Sequence, residues 1–333
     1  MRTSCVAVGI LLFAVEAKAQ ALITPTADVP PPATAPADVP KRDIVFRAAV
    51  DLVALNVVVT DQQQRFIGGL TADDFSVFED GVQQDVSFFA ATQVPLDLAL
   101  LLDTSASMQD KMTTMQQAAN GFLDTLRRGD RASVVDIKDS VRMAFPLGEN
   151  LAEAHAAVQG TVARGGTALF NGLYLALKEM VKQRKANGDV RRQAIAVLSD
   201  GEDTASLVAY DDVLELAKRS GIAVYTITLK SPLAVKQAST SGRRYFSESE
   251  FAMKALAQET GARAFFPTEI RELAGVYDAI AAELANQYAI GYSPKNPRSD
   301  GAYRRVIVRV DGRPEVRTRT RSGYLASRNA STY

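Results

Sequence analysis

Three short motifs carry the oxygen-bearing side chains best suited to chemistry in this sequence. Asp103 opens Asp103-Thr104-Ser105-Ala106-Ser107, Thr167 follows Gly165-Gly166, and Asp200 stands in Leu198-Ser199-Asp200-Gly201. Asp103, Ser105, Ser107, Thr167 and Asp200 together offer two carboxylates and three hydroxyls, all hard oxygen donors. That set suits Mg²⁺, whose oxygen ligands lie at about 2.0–2.1 Å, with Mn²⁺ or Ca²⁺ as alternatives. Two carboxylates offset the charge of such an ion but cannot fill its shell, so water or an incoming ligand must complete it. Helix starts expected at Ser107 and Thr167 add positive potential that favours an anion as that ligand. Taken singly, Ser105, Ser107 and Thr167 could each cap a helix, and Asp200 could form a turn with Gly201. Their order along the chain argues for one shared site.

Such a site needs strands that end on one edge of a sheet. Leu98 to Leu102, Ala132 to Ile137, Ala194 to Leu198, Ile222 to Leu229 and Ala262 to Phe266 are short continuous apolar runs. Apart from a hairpin-like stretch around Val141, each leads into a helical segment. The alternation predicts an α/β fold, a doubly wound and mostly parallel sheet covered on both faces. In such a sheet, ligands bind at the carboxyl ends of the strands, near the point where strand order reverses. Met108, Met112, Met115, Ala119, Phe122 and Leu126 recur at steps of four and three, which marks the first helix, and Gly129 suits its end. The Met stripe reads as core filling.

On either side the pattern is strand-like. Val57-Val58-Val59, Phe75-Ser76-Val77-Phe78 and Val86-Ser87-Phe88-Phe89 are separated by turn formers such as Gly68-Gly69 and Glu79-Asp80-Gly81. Tyr288 to Tyr292, Tyr303 to Val310 and Val316 to Tyr324 are three further strand candidates, with Asp311-Gly312 as a turn. Neither set can bury a face alone, so the two are expected to form one antiparallel β-sandwich built from N- and C-terminal segments.

The N-terminus carries Arg2, an apolar run from Cys5 to Val15, and Ala17-Lys18-Ala19, the small-x-small form of a signal peptidase site. The run is shorter than the ~20 residues a membrane span requires. Residues 1–19 therefore read as a signal peptide, 20–42 as a Pro-rich linker, 43–93 and 287–325 as the sandwich segments, 94–286 as the α/β domain, and 326–333 as a tail. The product is expected to be secreted or periplasmic, with no membrane span. Cleavage would also remove Cys5, the single cysteine among 333 residues, which suits an oxidising compartment.

Composition excludes several function classes. With 38 Lys plus Arg against 38 Asp plus Glu, the formal net charge is zero, so no strong pull toward nucleic acid is expected. One Cys and one His leave no parts for a Cys-rich zinc site, a Cys/His dyad or a disulfide scaffold. A Ser-His-Asp triad would have to use His155, which lies in an expected helix, and the chain has no nucleophile elbow.

The three motifs resemble the metal-ion-dependent adhesion site of von Willebrand factor type A domains, over roughly Val94 to Asn286. The resemblance implies that Ser105, Ser107 and Thr167 touch the metal, that Asp103 and Asp200 bind it directly or through water, and that a partner's Asp or Glu takes the open position. Ala106 stands where many members have Gly, which removes no ligand. The flanking Val50-Asp51-Leu52-Val53, Leu70-Thr71-Ala72-Asp73-Asp74-Phe75, Phe78-Glu79-Asp80-Gly81 and Gln287-Tyr288-Ala289-Ile290-Gly291-Tyr292 are similar to secreted bacterial proteins with a domain related to that family.

Other readings compete. Asp200-Gly201-Glu202-Asp203 is similar to the acidic motif of haloacid dehalogenase-like phosphatases, yet Ser105 occupies the position of their general acid and cannot donate a proton usefully at neutral pH. Arg128-Gly129-Asp130 spells an adhesion tripeptide but sits where a helix hands over to a strand. Arg304, Arg305, Arg309, Arg317, Arg319 and Arg321 could form an anion-binding face. The alternation of Arg317, Arg319 and Arg321 with Val316, Thr318 and Thr320 equally fits a solvated strand face, which is the reading preferred here. The expectation is thus an exported, non-enzymatic binding module using a Mg²⁺-type site, with a scaffold holding a purely structural metal as the alternative.

Overall fold

The computed structural model describes residues 52–91, 94–187, 191–200, 202–229 and 247–327. The expected signal peptide, the Pro-rich linker, Gly201 and residues 328–333 of the tail lie outside the described residues. Four strands lead the described chain: β1 (Val53–Thr60), β2 (Phe75–Glu79), β3 (Val82–Gln84) and β4 (Val86–Ala90).

The central sheet begins with β5 (Leu96–Asp103), every residue of which is buried. A short 3-10 helix (Ala106–Lys111) and α1 (Met112–Asp124) follow, then β6 (Arg131–Ile137), β7 (Val141–Gly148), α2 (Leu151–Gln159) and α3 (Leu169–Asn187). Next come β8 (Arg192–Ser199), α4 (Tyr210–Ser220), β9 (Ala223–Thr228), α5 (Glu248–Glu259), β10 (Ala264–Phe265) and α6 (Leu273–Ala285). The strand order is β10-β9-β8-β5-β6-β7, parallel except for β7, which pairs antiparallel with β6. This is the α/β class expected from the alternating apolar runs.

Continuous apolar strands are explained by cover on both faces. Leu98, Leu100 and Leu102 of β5 pack with Met115 and Phe122 of α1 and Tyr277 and Ile280 of α6. Ala99 and Leu101 point the other way, into a core with Leu173 and Leu177 of α3, Val213 of α4 and Leu256 of α5. Burying each such Leu contributes about 1.5–3 kcal/mol. The Met stripe is core: Met108 and Met115 are fully buried. The first turns differ from the expected single helix, because residues 106–111 wind as a 3-10 helix and the α-helical N-terminus falls at Met112.

Four strands close the chain: β11 (Gln287–Tyr292), β12 (Tyr303–Val310), β13 (Arg317–Arg319) and β14 (Gly323–Leu325). They interleave with the first four in two sheets, β13-β1-β11-β4 and β14-β12-β2-β3. β1 pairs antiparallel with β11, Val57 opposite Tyr288, and β12 with β2, Val308 opposite Val77. Val57, Val59, Val77, Tyr288, Val306 and Val308 share one core. Strand β12 alternates exposed or half-buried residues with buried ones, as one-sided burial demands.

The expected single strand from Val316 to Tyr324 is corrected to two strands in different sheets, with Thr320 to Ser322 crossing between them. The solvated arginine face is corrected for Arg319 and Arg321, while Arg317 is exposed as expected. Arg319 is 31% exposed and forms an ion pair of 2.5 Å with Glu283 of α6, which is 1% exposed. Glu283 also accepts a 2.7 Å hydrogen bond from the Tyr225 hydroxyl. Arg321 is half-buried beside Tyr292 and Tyr324, and desolvation lowers its pKa to about 10. The hydroxyls of Tyr292 and Tyr324 both donate to buried Glu79 at 2.8 Å.

This crossing passes so close to Gly261 that no side chain fits there. An added Cβ would lie 2.4 Å from the Arg321 backbone nitrogen and 2.5 Å from the Thr320 carbonyl carbon, at φ +77. Gly261→Ala is expected to cost about 1–3 kcal/mol, through overpacking and left-handed strain together. Urea unfolding would measure it, and an unchanged midpoint would show that the crossing can move away.

Candidate metal centre

β5 and β8 are neighbours, and strand order reverses between them: the chain runs from β5 outward to β7, then crosses back to β8. Their carboxyl ends therefore flank the crevice where such sheets bind ligands. Leu102 pairs with Leu198, which brings Asp103 beside Ser199 and Asp200. Asp103 is fully buried. Its Oδ1 accepts a hydrogen bond of 2.9 Å from the Ser105 backbone N–H, and its Oδ2 accepts one of 2.7 Å from the Ser199 hydroxyl. Ser105 Oγ lies 2.9 Å from Ser107 Oγ, so these hydroxyls extend the cluster outward from buried Ser105 to exposed Ser107.

Thr167 arrives from the loop between α2 and α3. That loop is stitched to the Asp103 loop by Arg164 N–H to Thr104 carbonyl at 2.9 Å and Ala106 N–H to Gly165 carbonyl at 3.0 Å. Gly165 has φ +71, and a Cβ there would lie 2.7 Å from an Asp139 carboxylate oxygen. The tight turn thus depends on glycine, and it packs Asp139 against the loop. Thr167 itself is buried, with its N–H donating to Thr204 Oγ1 at 3.0 Å. Its carbonyl accepts from Thr204 and Ala205 N–H, which ties the loop after Asp200 to the loop of Thr167. Asp200 is half-buried immediately after β8.

Burial raises the pKa of the Asp103 carboxyl, and the nearby charge of Asp200 raises it further; hydrogen bonds from Ser105 and Ser199 oppose the rise. A buried carboxylate facing another is costly by itself and becomes favourable beside a cation. Among the described residues no group of three or more His, Cys, Asp or Glu side chains could hold a metal, so an ion here would rely on hydroxyl and water oxygens besides the two carboxylates. The donor set fits a hard divalent ion. The expected helix N-terminus at Ser107 is displaced by the 3-10 helix, so the α1 dipole starts further from the site than anticipated.

Sequence reasoning missed the layer beneath. Asp136 of β6 is fully buried, takes a short hydrogen bond from Thr104 Oγ1, and pairs with Lys138 at 2.9 Å and Arg142 at 3.2 Å. Lys138 in turn donates to the Val162 carbonyl at 3.3 Å, and its own carbonyl accepts from Ala168 N–H at 2.7 Å. The available signal was a charge inside the apolar run Ala132 to Ile137. Asn171 Oδ1 accepts from Leu207 and Val208 N–H at 3.1 and 3.0 Å, and no local pattern announces that.

The competing residues have structural roles. His155 nitrogens lie 2.9 Å from Asn120 Oδ1 and 3.0 Å from Asp124 Oδ1, joining α2 to α1. Asp130 accepts from Arg127 and Leu96 N–H at 2.9 and 2.8 Å, and Gly129 takes φ +89, so this tripeptide forms a turn.

A sequence model described as the von Willebrand factor type A domain matches residues 97–279. The chain is 33% identical over 114 residues to the uncharacterized protein sll0103 of Synechocystis sp., covering 33% of this chain and 26% of that protein. It is 30% identical over 139 residues to calcium-activated chloride channel regulator 1 of Equus caballus, covering 40% of this chain and 14% of that protein. The chain therefore spans well under half the length of these curated relatives. A solved structure described as von Willebrand factor type A from Catenulispora acidiphila aligns with TM-score 0.47 and 13% identity, over 86% of this chain and 76% of that one. Because the family match takes in more than half of its residues, the chain belongs to the von Willebrand factor type A domain family.

Proposed function

We propose that this protein is a non-enzymatic binding module that captures an acidic group of a partner protein through a divalent ion, Mg²⁺ foremost, held by Asp103, Ser105, Ser107, Thr167 and Asp200. Domains of this family are often adhesion or protein-interaction modules. The observation that carries the reading is the buried carboxylate of Asp103, raised in pKa beside Asp200 and adjoining a line of hydroxyls that opens to solvent at Ser107. A bound ion would supply a Lewis-acidic position for an incoming carboxylate. Residues 94–286 would form the binding domain, with 43–93 and 287–325 as a sandwich around its two chain ends. The signal-like N-terminus supports export to a periplasm or beyond, and among the described residues no helix is long and apolar enough to cross a membrane. Ser105, where the phosphatase reading needs an acid, lies instead against Asp103 and Ser107.

Mn²⁺ titration with water-proton relaxation tests this directly, because it reads both metal binding and the water left on the ion. A peptide ending in Glu should displace that water, and its amide counterpart should not. Failure to bind Mn²⁺, or indifference to the carboxylate, would defeat the reading. Thr204→Val should weaken the ion by about tenfold, since Thr204 Oγ1 holds the Thr167 N–H and loss of such supporting contacts typically costs ten- to a hundredfold. An unchanged metal affinity in that variant would mean Thr167 is positioned by its glycine turn alone.

A further inference from the structure

On the opposite edge of the sheet from Asp103, a cleft of about 290 Å³ opens between β1, β13, α6 and the residue that precedes β10. Three arginines line it, Arg263, Arg317 and Arg319, with one acidic residue, Glu283. Glu283 is already engaged by Arg319 at 2.5 Å and by the Tyr225 hydroxyl at 2.7 Å. Arg319 also donates to the Gly261 carbonyl at 2.5 Å. That leaves Arg263 and Arg317, both exposed, with no carboxylate partner among the described residues. Arg263 lies over the Phe265 ring, 4.9 Å from its centroid, which restrains its plane.

A second observation points to the same cleft. Gln64, one of its lining residues, holds φ +63, a conformation non-glycine residues adopt at a cost. The turn that imposes it is closed by Gln64 N–H to the Asp61 carbonyl at 3.1 Å and by the Asp61 carboxylate, which accepts from Arg65 at 2.9 and 2.6 Å. The turn thus sets Gln64 in the wall of the cleft together with half-buried Phe66.

We propose that this cleft binds a small organic dianion whose oxygen head group is gripped by Arg263 and Arg317 and whose body lies against Phe66. Two uncompensated guanidinium groups match a doubly charged head, since each can pair with two oxygens in its plane. The volume sits at the small end of ligand pockets, ~300–1,000 Å³, which excludes large cofactors. The head could be a phosphate monoester or a pair of carboxylates, which share the charge and the acceptor oxygens. The site is separate from the metal centre and independent of it.

Calorimetric titration of the full chain with inorganic phosphate, phenyl phosphate and succinate tests the proposal, with Arg263→Ala, Arg317→Ala and the double variant alongside. At least one dianion should bind. Each single variant should weaken it by about tenfold, as loss of a charge-assisted bidentate contact implies. Phenyl phosphate should outcompete inorganic phosphate if the head is phosphate; succinate binding alone would assign carboxylates. Asp103→Ala should bind the dianion like the unaltered protein, which separates failure of this site from failure of the metal reading. No binding of any probe below about 10 mM, or equal binding by a double variant of unchanged circular dichroism, would overturn the proposal.

Discussion

Replacing Asp103 with alanine is expected to abolish both the stabilisation by divalent ions and the capture of an acidic ligand, while leaving the metal-free fold nearly as stable as before. In the metal-free protein two opposing effects act on this side chain. Burial beside Asp200 disfavours the carboxylate, so its removal relieves a penalty. The Ser105 N–H loses its side-chain acceptor, at about 1–3 kcal/mol for a buried donor left unpaired, and the Ser199 hydroxyl loses one of its contacts. The net change should fall within about 1 kcal/mol of zero. With ion present the balance differs: at a free concentration a hundred times its dissociation constant, an ion that binds the folded state alone stabilises by about 2.7 kcal/mol, and the variant should forfeit all of it. Urea unfolding with Mg²⁺ and with chelator, on both proteins, gives the four midpoints required. A variant still stabilised by Mg²⁺ to the original extent would place the ion elsewhere.

The placement of Asp103 and Asp200 at one sheet edge was legible because each follows an apolar run, and such a run in a βα alternation ends at the carboxyl edge of a covered sheet. The β-sandwich was legible from period-two alternation in Tyr303 to Val310 and from the need of each set of strands for a partner. What escaped depends on contacts between distant segments. The alternation of Arg317, Arg319 and Arg321 is the same whether the guanidiniums face water or face Glu283 and the Tyr292–Tyr324 pair, because the acids and rings that neutralise them lie in other elements. Likewise the Thr204 hydroxyl under Thr167 is set by loop packing, and nothing in its own neighbourhood distinguishes it from a surface polar residue, whereas Asp136 under Thr104 was marked only by its charge inside an apolar run. The 3-10 start of the first helix is a third case: the apolar spacing of Met108 and Met112 fits either winding.

Asp97, on the same strand as Asp103 but at its other end, should behave in the opposite way. It is 1% exposed and sits between two arginines, accepting from Arg131 at 2.8 and 2.7 Å and from Arg191 at 2.6 Å. Arg191 adds bonds to the Leu96 and Gly129 carbonyls at 3.2 and 2.7 Å, so the triad pins the start of β5 to the turn before β6 and to the approach of β8. A buried triad of this kind adds little over an apolar substitute of the same shape, yet removing Asp97 takes the shared carboxylate from two largely buried arginines. Asp97→Ala is therefore expected to cost about 3–5 kcal/mol. Little of that loss should depend on salt, because charges screened from water are also screened from counterions. Mg²⁺ should still raise the stability of this variant by the same increment as in the unaltered protein, since the two edges of the sheet share no ligand. Urea midpoints at low and high salt, read with an unchanged m-value, decide the matter. A loss below about 1 kcal/mol, the range of exposed pairs, or one that vanishes at high salt, would mean that the arginines reach solvent when freed and that the triad is a surface feature.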